Sequence, residues 1–331
     1  MKILYMLVGV LFSLSLAAKP LDVKSLSYNA ILSDVQYPFP VQHFALDSQG
    51  QFLDMAYMYL PPTDNKEVVV LLHGKNFNSA YWQSTASYLH EQGYGVLMPD
   101  QIGFGKSSKS LDYQYSFAAL ASHTKALMSS LDIKQGIILG HSMGGMLASR
   151  FALLYPESTV KLLLVNPIGL ENYLLYSQYK DVSFFYQQEL KKSAESIQAY
   201  QKKNYYAGNW NQAYAKLTYF LIGQVQGPDK DIIAHVNALT YDMIFTQPVI
   251  DEFSHIKVPT RLILGTRDRT APGRNWQKAA TTYELGRYDK LGEREVHTLQ
   301  DGKLYQLSGL GHLPQIEDFD RFKAVLNEAL K

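Results

Sequence analysis

The pentapeptide Val68-Val-Val-Leu-Leu72 is apolar at every position and β-branched at its first three. A strand exposed on one face alternates polar and apolar residues, so an unbroken apolar run this short belongs to a strand covered on both faces. The same pattern returns at "YGVLMPD" (94–100), "QGIILG" (135–140), "VKLLLVNP" (160–167), "TRLILGT" (260–266) and, more weakly, "KLYQLSG" (303–309). Stretches with helical spacing lie between and after them, at 78–93, 116–133, 143–156, 274–285 and 316–330. Strands alternating with helices imply right-handed crossovers and an α/β fold, a mostly parallel sheet with helices on both faces. Ligands of such sheets bind at the carboxyl ends of the strands. Before the first buried run, residues 41–62 alternate about Asp47-Ser-Gln-Gly50, the pattern of a hairpin.

The rhythm breaks once. Residues 169 to 250 contain no clear apolar strand but hold 10 of the chain's 24 tyrosines, with Phe184, Phe185 and Leu190 at helical spacing. This predicts a helical insert over the sheet whose aromatic residues pack on the core, line a cavity, or both. The expected organisation is therefore a core in two parts, 41–168 and 251–331, around a helical cap at 169–250, after a polar lead-in at 18–40. The first residues are a separate matter: Lys2, an apolar run from Ile3 to Leu16, then Ser15 and Ala17 in the small-residue positions of an export cleavage site. We expect a signal peptide of residues 1–17 and a secreted or periplasmic protein. A retained anchor is the alternative, but the run falls short of the ~20 apolar residues that span a bilayer.

Charge and cysteine content exclude several classes. The 31 basic and 30 acidic residues give no reason to expect nucleic acid or an anionic surface as partner. With no cysteine the chain has no disulfides, thiolate nucleophiles or sulfur-ligated zinc. The histidines show no metal-ligand spacing, so neither metal nor cofactor is expected, and the partner is a small-molecule substrate. "GFGKSS" at 103–108 echoes a phosphate-binding loop, but the first glycine of that pattern falls on Asp100.

The stretch "LGHSMGG" (139–145) then demands an explanation, because it joins a buried strand directly to a helix. Gly140-x-Ser142-x-Gly144 in that context raises a serine above the sheet edge on a sharp, strained turn. It also leaves the N–H of Met143 without an intrahelical acceptor, available to a developing oxyanion. A serine hydroxyl is a weak nucleophile without a base, and the base needs an orienting carboxylate. The chain offers Asp268 just past one later strand and His312 just past the next, with Gly309 and Gly311 freeing the second loop. The order Ser, Asp, His, each at a strand's carboxyl end, makes this a candidate triad.

Taken with His73-Gly74 after the first parallel strand and "PDQIGFGKS" at 99–107, these motifs resemble the α/β-hydrolase family. The resemblance covers residues 41–168 and 250–331, and the insert occupies that family's usual cap position. It implies Ser142 as nucleophile, His312 as general base and then acid, Asp268 as orienting carboxylate, and the backbone N–H of Lys75 as second oxyanion donor beside Met143, with Asn76 as the alternative. It also implies a structural role for Asp100. The serine sets the chain apart from the aspartate-nucleophile branches, and "HGKNF" departs from the "HGGPG" of proline iminopeptidases. Asn166 stands where some relatives carry the acid. The expected activity is hydrolysis of a small, fairly apolar ester or related acyl compound. The same triad also serves C–C bond, thioester or amide hydrolysis and acyl transfer, and the fold alone also serves non-catalytic binding. His141 is expected to point away from the serine and serve packing, His73 to anchor its loop, and Trp210 is the indole expected nearest a pocket.

Overall fold

A computed structural model describes residues 22–331. The expected signal peptide at 1–17 lies outside the described residues. β1 (Val41–Ser48) and β2 (Gln51–Leu60) form the expected antiparallel hairpin, and β2 adds antiparallel to the strand at Gly95–Pro99. β3 (Val68–Leu72), α1 (Gln83–Glu91), β4 (Gly95–Pro99), α2 (Phe117–Ser130), β5 (Gly136–His141), α3 (Met143–Leu154) and β6 (Thr159–Val165) then alternate. Six helices follow: α4 (Tyr173–Tyr176), α5 (Val182–Leu190), α6 (Ala194–Asn204), α7 (Gln212–Lys216), α8 (Tyr219–Gln226) and α9 (Lys230–Thr246). The chain returns through β7 (Thr260–Gly265), α10 (Tyr288–Val296), β8 (Gly302–Leu307), α11 (Pro314–Glu317) and α12 (Phe319–Leu330). The eight strands form one sheet in the order β1-β2-β4-β3-β5-β6-β7-β8, parallel from β4 to β8.

The unbroken apolar strands are explained by two cores, one on each face. Val68, Val70 and Leu72 of β3 face the same core as Leu120 and Leu127 of α2 and Leu147 of α3. Val69 and Leu71 face the other, with Leu89 of α1 and Phe322 and Leu326 of α12. β3 to β7 therefore bury both of their faces, as period-2 side-chain alternation requires, whereas the edge strands β1 and β8 stay partly exposed. No helix among the described residues is long and apolar enough to cross a membrane.

Two local expectations are corrected. The helix read at 274–285 is a short 3-10 turn at Arg274–Trp276, and the helix lies at Tyr288–Val296 instead. The intervening stretch is drawn out by tertiary pairing: Ser177 and Gln277 form a β-bridge and the Lys278 N–H donates to the Tyr176 carbonyl at 2.8 Å. The lead-in is more than polar linker. Leu26 and Tyr28 pack with Ile197, Leu221 and Ile222 of the helical insert, and the Tyr28 N–H donates to the Gly223 carbonyl at 2.9 Å. It straps α6 and α8 from outside.

Candidate active site

Ser142 sits between the last residue of β5 and the first of α3, with φ 56° and ψ −122°, a conformation that few non-glycine residues adopt. The turn closes because its neighbours lack side chains: a Cβ on Gly140 would lie 2.1 Å from the Gly144 carbonyl oxygen, and one on Gly144 2.1 Å from that of Leu72. No other residue fits either place. Ser142 is thereby lifted beyond the sheet's carboxyl edge.

Loops from β7 and β8 meet it there. The Ser142 hydroxyl donates to His312 Nε2 at 3.0 Å, and His312 Nδ1–H donates to Asp268 Oδ2 at 2.7 Å. Asp268 and His312 are fully buried. Burial alone would push the Asp268 carboxyl up, but the adjacent His312 and the hydrogen bonds from His312 and Thr270 hold it below the usual carboxylate range. It therefore stays ionised facing the imidazole. Asn166, past the end of β6, donates from Nδ2 to Asp268 Oδ2 at 2.9 Å and accepts the Gly265 N–H at 2.8 Å. Where the sequence offers no acid, the structure places an amide that holds one.

The imidazole is held from two further sides. His141 Nε2 hydrogen-bonds the His312 carbonyl at 2.8 Å, and its Nδ1 lies 2.9 Å from the Tyr81 hydroxyl, which accepts the Gly74 N–H at 3.3 Å. One tautomer satisfies all three bonds: Tyr81 donates to Nδ1, and Nε2–H donates to the carbonyl. Burial, then the neighbouring His312, pushes His141 well below the ordinary histidine range, so it is neutral and can accept at Nδ1. From the helical insert, the Tyr205 ring stacks on His312 at 4.6 Å and the Tyr205 carbonyl accepts the His312 N–H at 3.4 Å. His141 is thus more than packing, and Tyr81, Asn166 and Tyr205 carried no recognisable motif.

Met143 follows the serine directly, and a Cβ on Gly74, the residue before Lys75, would lie 3.1 Å from that of Ser142. Among the described residues no acceptor is found for the N–H of Lys75, Asn76 or Met143. The Lys75 side chain reaches the insert, where Nζ donates to the Asn237 carbonyl at 2.9 Å, Asn237 Oδ1 at 3.1 Å and Thr240 Oγ1 at 3.2 Å on α9. Burial among these groups lowers its ammonium to about 7, with Glu189 opposing. The Asn76 amide donates to the Tyr205 hydroxyl at 2.8 Å, so two consecutive residues tie this loop to the insert. His73 anchors the loop from below: its Nε2 accepts the Gln101 N–H at 3.1 Å and its Nδ1 donates to the Gly74 carbonyl at 2.9 Å. Asp100 holds three segments together, accepting from the Ser79 and Lys106 N–H groups and the Tyr37 hydroxyl within 2.8 Å.

A cavity of about 400 Å³ opens beside this assembly, between Asn76 and α5, α6, α8 and α9 of the insert. Phe185, Ile197, Leu221, Tyr241 and Trp276 supply apolar wall, and Glu189 and Gln201 supply polar wall. Trp276, not Trp210, is the indole in that wall; Trp210 packs at 5.9 Å against Tyr206 instead.

Comparison with known proteins places the chain among relatives. A family model described as the alpha/beta hydrolase fold matches residues 67–209. The crystal structure of "a probable hydrolytic enzyme" from Pseudomonas aeruginosa superimposes with a TM-score of 0.90 at 41% identity, covering 93% of this chain and 99% of that one. A thermophilic esterase from Thermogutta terrifontis shares the fold at a TM-score of 0.68 and 17% identity, over 87% of this chain and 98% of that one. The 2-hydroxy-6-oxononadienedioate/2-hydroxy-6-oxononatrienedioate hydrolase of Comamonas testosteroni is 34% identical over 120 residues, 35% of this chain and 42% of that protein. The matched stretch spans less than half the length of these curated relatives, falling to 29% for a Mycobacterium tuberculosis protein.

Proposed function

The chain belongs to the α/β-hydrolase fold family, and from that premise we propose that it is a serine hydrolase cleaving a small, fairly apolar ester through an acyl-enzyme. The observation that carries the reading is the continuous line Ser142–His312–Asp268, with contacts of 3.0 and 2.7 Å. His312 Nε2 removes the hydroxyl proton as Ser142 Oγ attacks the carbonyl carbon. The negative charge that develops on the carbonyl oxygen is met by the N–H groups of Met143 and Lys75, donors whose loss typically costs ~2.7–4 kcal/mol of barrier. His312 returns the proton to the departing alcohol, then activates water to release the acid. Asp268 stays ionised and steadies the imidazolium.

The cavity supports the ester reading by its mostly apolar wall and its contact with Asn76, one residue from the proposed oxyanion donor. The test is turnover of 4-nitrophenyl esters and labelling by a fluorophosphonate. Wild type is expected to hydrolyse and to be labelled at Ser142, and Ser142→Ala to do neither. Undiminished turnover by that variant rejects the assignment.

A further inference from the structure

The amide of Gln201 is an unexplained polar group near the site. Gln201, on α6, is 1% exposed, and neither its Oε1 nor its Nε2 has a hydrogen-bond partner among the described residues. It belongs to the wall of the cavity beside Asn76. Trp276 Nε1, in the same wall, is a second buried donor without a partner. Buried polar groups are nearly always paired, so an unpaired acceptor with two unpaired donors around one cavity points to a ligand.

The wall also limits the charge of that ligand. Glu189 is buried there and forms an ion pair with Lys192 at 2.6 Å, so these two charges cancel, and the remaining charged residue of the wall, Lys191, is exposed, where water screens it. Phe185, Tyr241 and Trp276 give the rest of the wall apolar surface. A plain alkyl chain would fill the apolar space but leave the Gln201 amide and the indole N–H unsatisfied. A carboxylate would suit the two donors but set its charge against Gln201 Oε1 and leave that acceptor without a donor. An uncharged amide matches both requirements, because its N–H meets Gln201 Oε1 and its carbonyl accepts from Gln201 Nε2 or Trp276 Nε1.

We propose that the cavity selects esters whose acyl chain carries a neutral amide, with Gln201 as the specificity-determining residue. This rests on the serine-hydrolase reading and names its substrate class. A site built to hydrogen-bond a polar group rejects the analogue lacking it more strongly than it rejects a small change in apolar length, because its own groups are left unpaired. Each bond so left unmade is expected to change kcat/KM by about tenfold.

The experiment compares 4-nitrophenyl esters of N-acetyl-4-aminobutanoate, N-acetyl-5-aminopentanoate and N-acetyl-6-aminohexanoate with the chain-matched heptanoate, octanoate and nonanoate esters. The mono-4-nitrophenyl ester of nonanedioic acid supplies the anionic arm. In wild type, at least one amide ester is expected to exceed its alkyl match in kcat/KM by about tenfold or more. Gln201→Leu should abolish that preference while alkyl-ester turnover and fluorophosphonate labelling of Ser142 persist; Trp276→Phe should reduce it. The proposal is overturned if no amide ester surpasses its match, if the anionic ester is preferred, or if both variants lower each matched pair equally. Turnover of every ester without amide preference sinks this inference alone. No turnover and no labelling sink the serine-hydrolase reading as well.

Discussion

Replacing Asn166 by aspartate should reverse the way acid acts on this protein. The substitution is nearly isosteric, and the new carboxylate can keep the acceptor that now takes the Gly265 N–H at 2.8 Å. Its other oxygen replaces the Nδ2 that donates to Asp268 Oδ2, so two carboxylate oxygens would face each other at about the 2.9 Å of the present bond. Both residues are fully buried. At an effective dielectric constant of about 20, two ionised groups that close repel by ~6 kcal/mol. That equals about four pK units, so the pair would retain one proton to well above the ~3.9 of an aspartate in the unfolded chain. A folded pKa raised above the unfolded one contributes stability that is complete below about pH 4 and lost as pH rises through the folded value, at ~1.4 kcal/mol per unit. Thermal unfolding of Asn166→Asp and wild type, measured from pH 5 to pH 8, should therefore diverge by roughly 3 °C per pH unit, taking roughly 2 °C per kcal/mol at this chain length. Asn166→Ser, which adds no charge, should show a deficit that does not vary over the same range. Parallel curves for wild type and Asn166→Asp would refute the reasoning.

Three further outcomes are expected. Ser142→Gly removes the proposed nucleophile and also the strain at φ 56°, which is worth ~1–3 kcal/mol, so it should unfold at or above the wild-type temperature in calorimetry; a loss of several degrees counts against strain at the turn. Lys75 is held at about 7 when folded against ~10.4 when unfolded, so the folded state binds fewer protons between those values and the stability Lys75 contributes returns as pH rises. The melting temperature of wild type should accordingly gain on that of Lys75→Met from pH 7 to pH 9, and an unchanging gap would argue against the buried ammonium. If residues 1–17 are an export signal, N-terminal sequencing of the mature protein should begin at Ala18, and a chain starting at Met1 rejects cleavage.

How far these features could be read in advance depended on how local each one is. The strands were legible because a strand buried on both faces has nowhere to put a polar residue, as β3 and β5 show. The meeting of Ser142, Asp268 and His312 was legible for a related reason: each lies within a few residues of a strand's carboxyl end, and glycines mark the turns. Asn166 also follows a strand, but nothing in its neighbours says that its amide would meet a residue 102 positions later. Tyr205 and Gln201 lie in a segment rich in tyrosine and glutamine, where composition does not separate a ring stacked on a histidine from one stacked on another tyrosine. The helix at Tyr288–Val296 was misplaced because pairing of Gln277 with Ser177 overrode the helical spacing of the residues after it.

The stacking of Tyr205 on His312 bears on how such a protein can be rebuilt. The same residue supplies a ring for one face of the imidazole and a carbonyl for its backbone N–H, at 4.6 and 3.4 Å. The segment between β6 and β7 is therefore a buttress as well as a roof. A chimaera that borrows a relative's roof would inherit a loosened imidazole unless the borrowed segment brings an aromatic residue to the same spot.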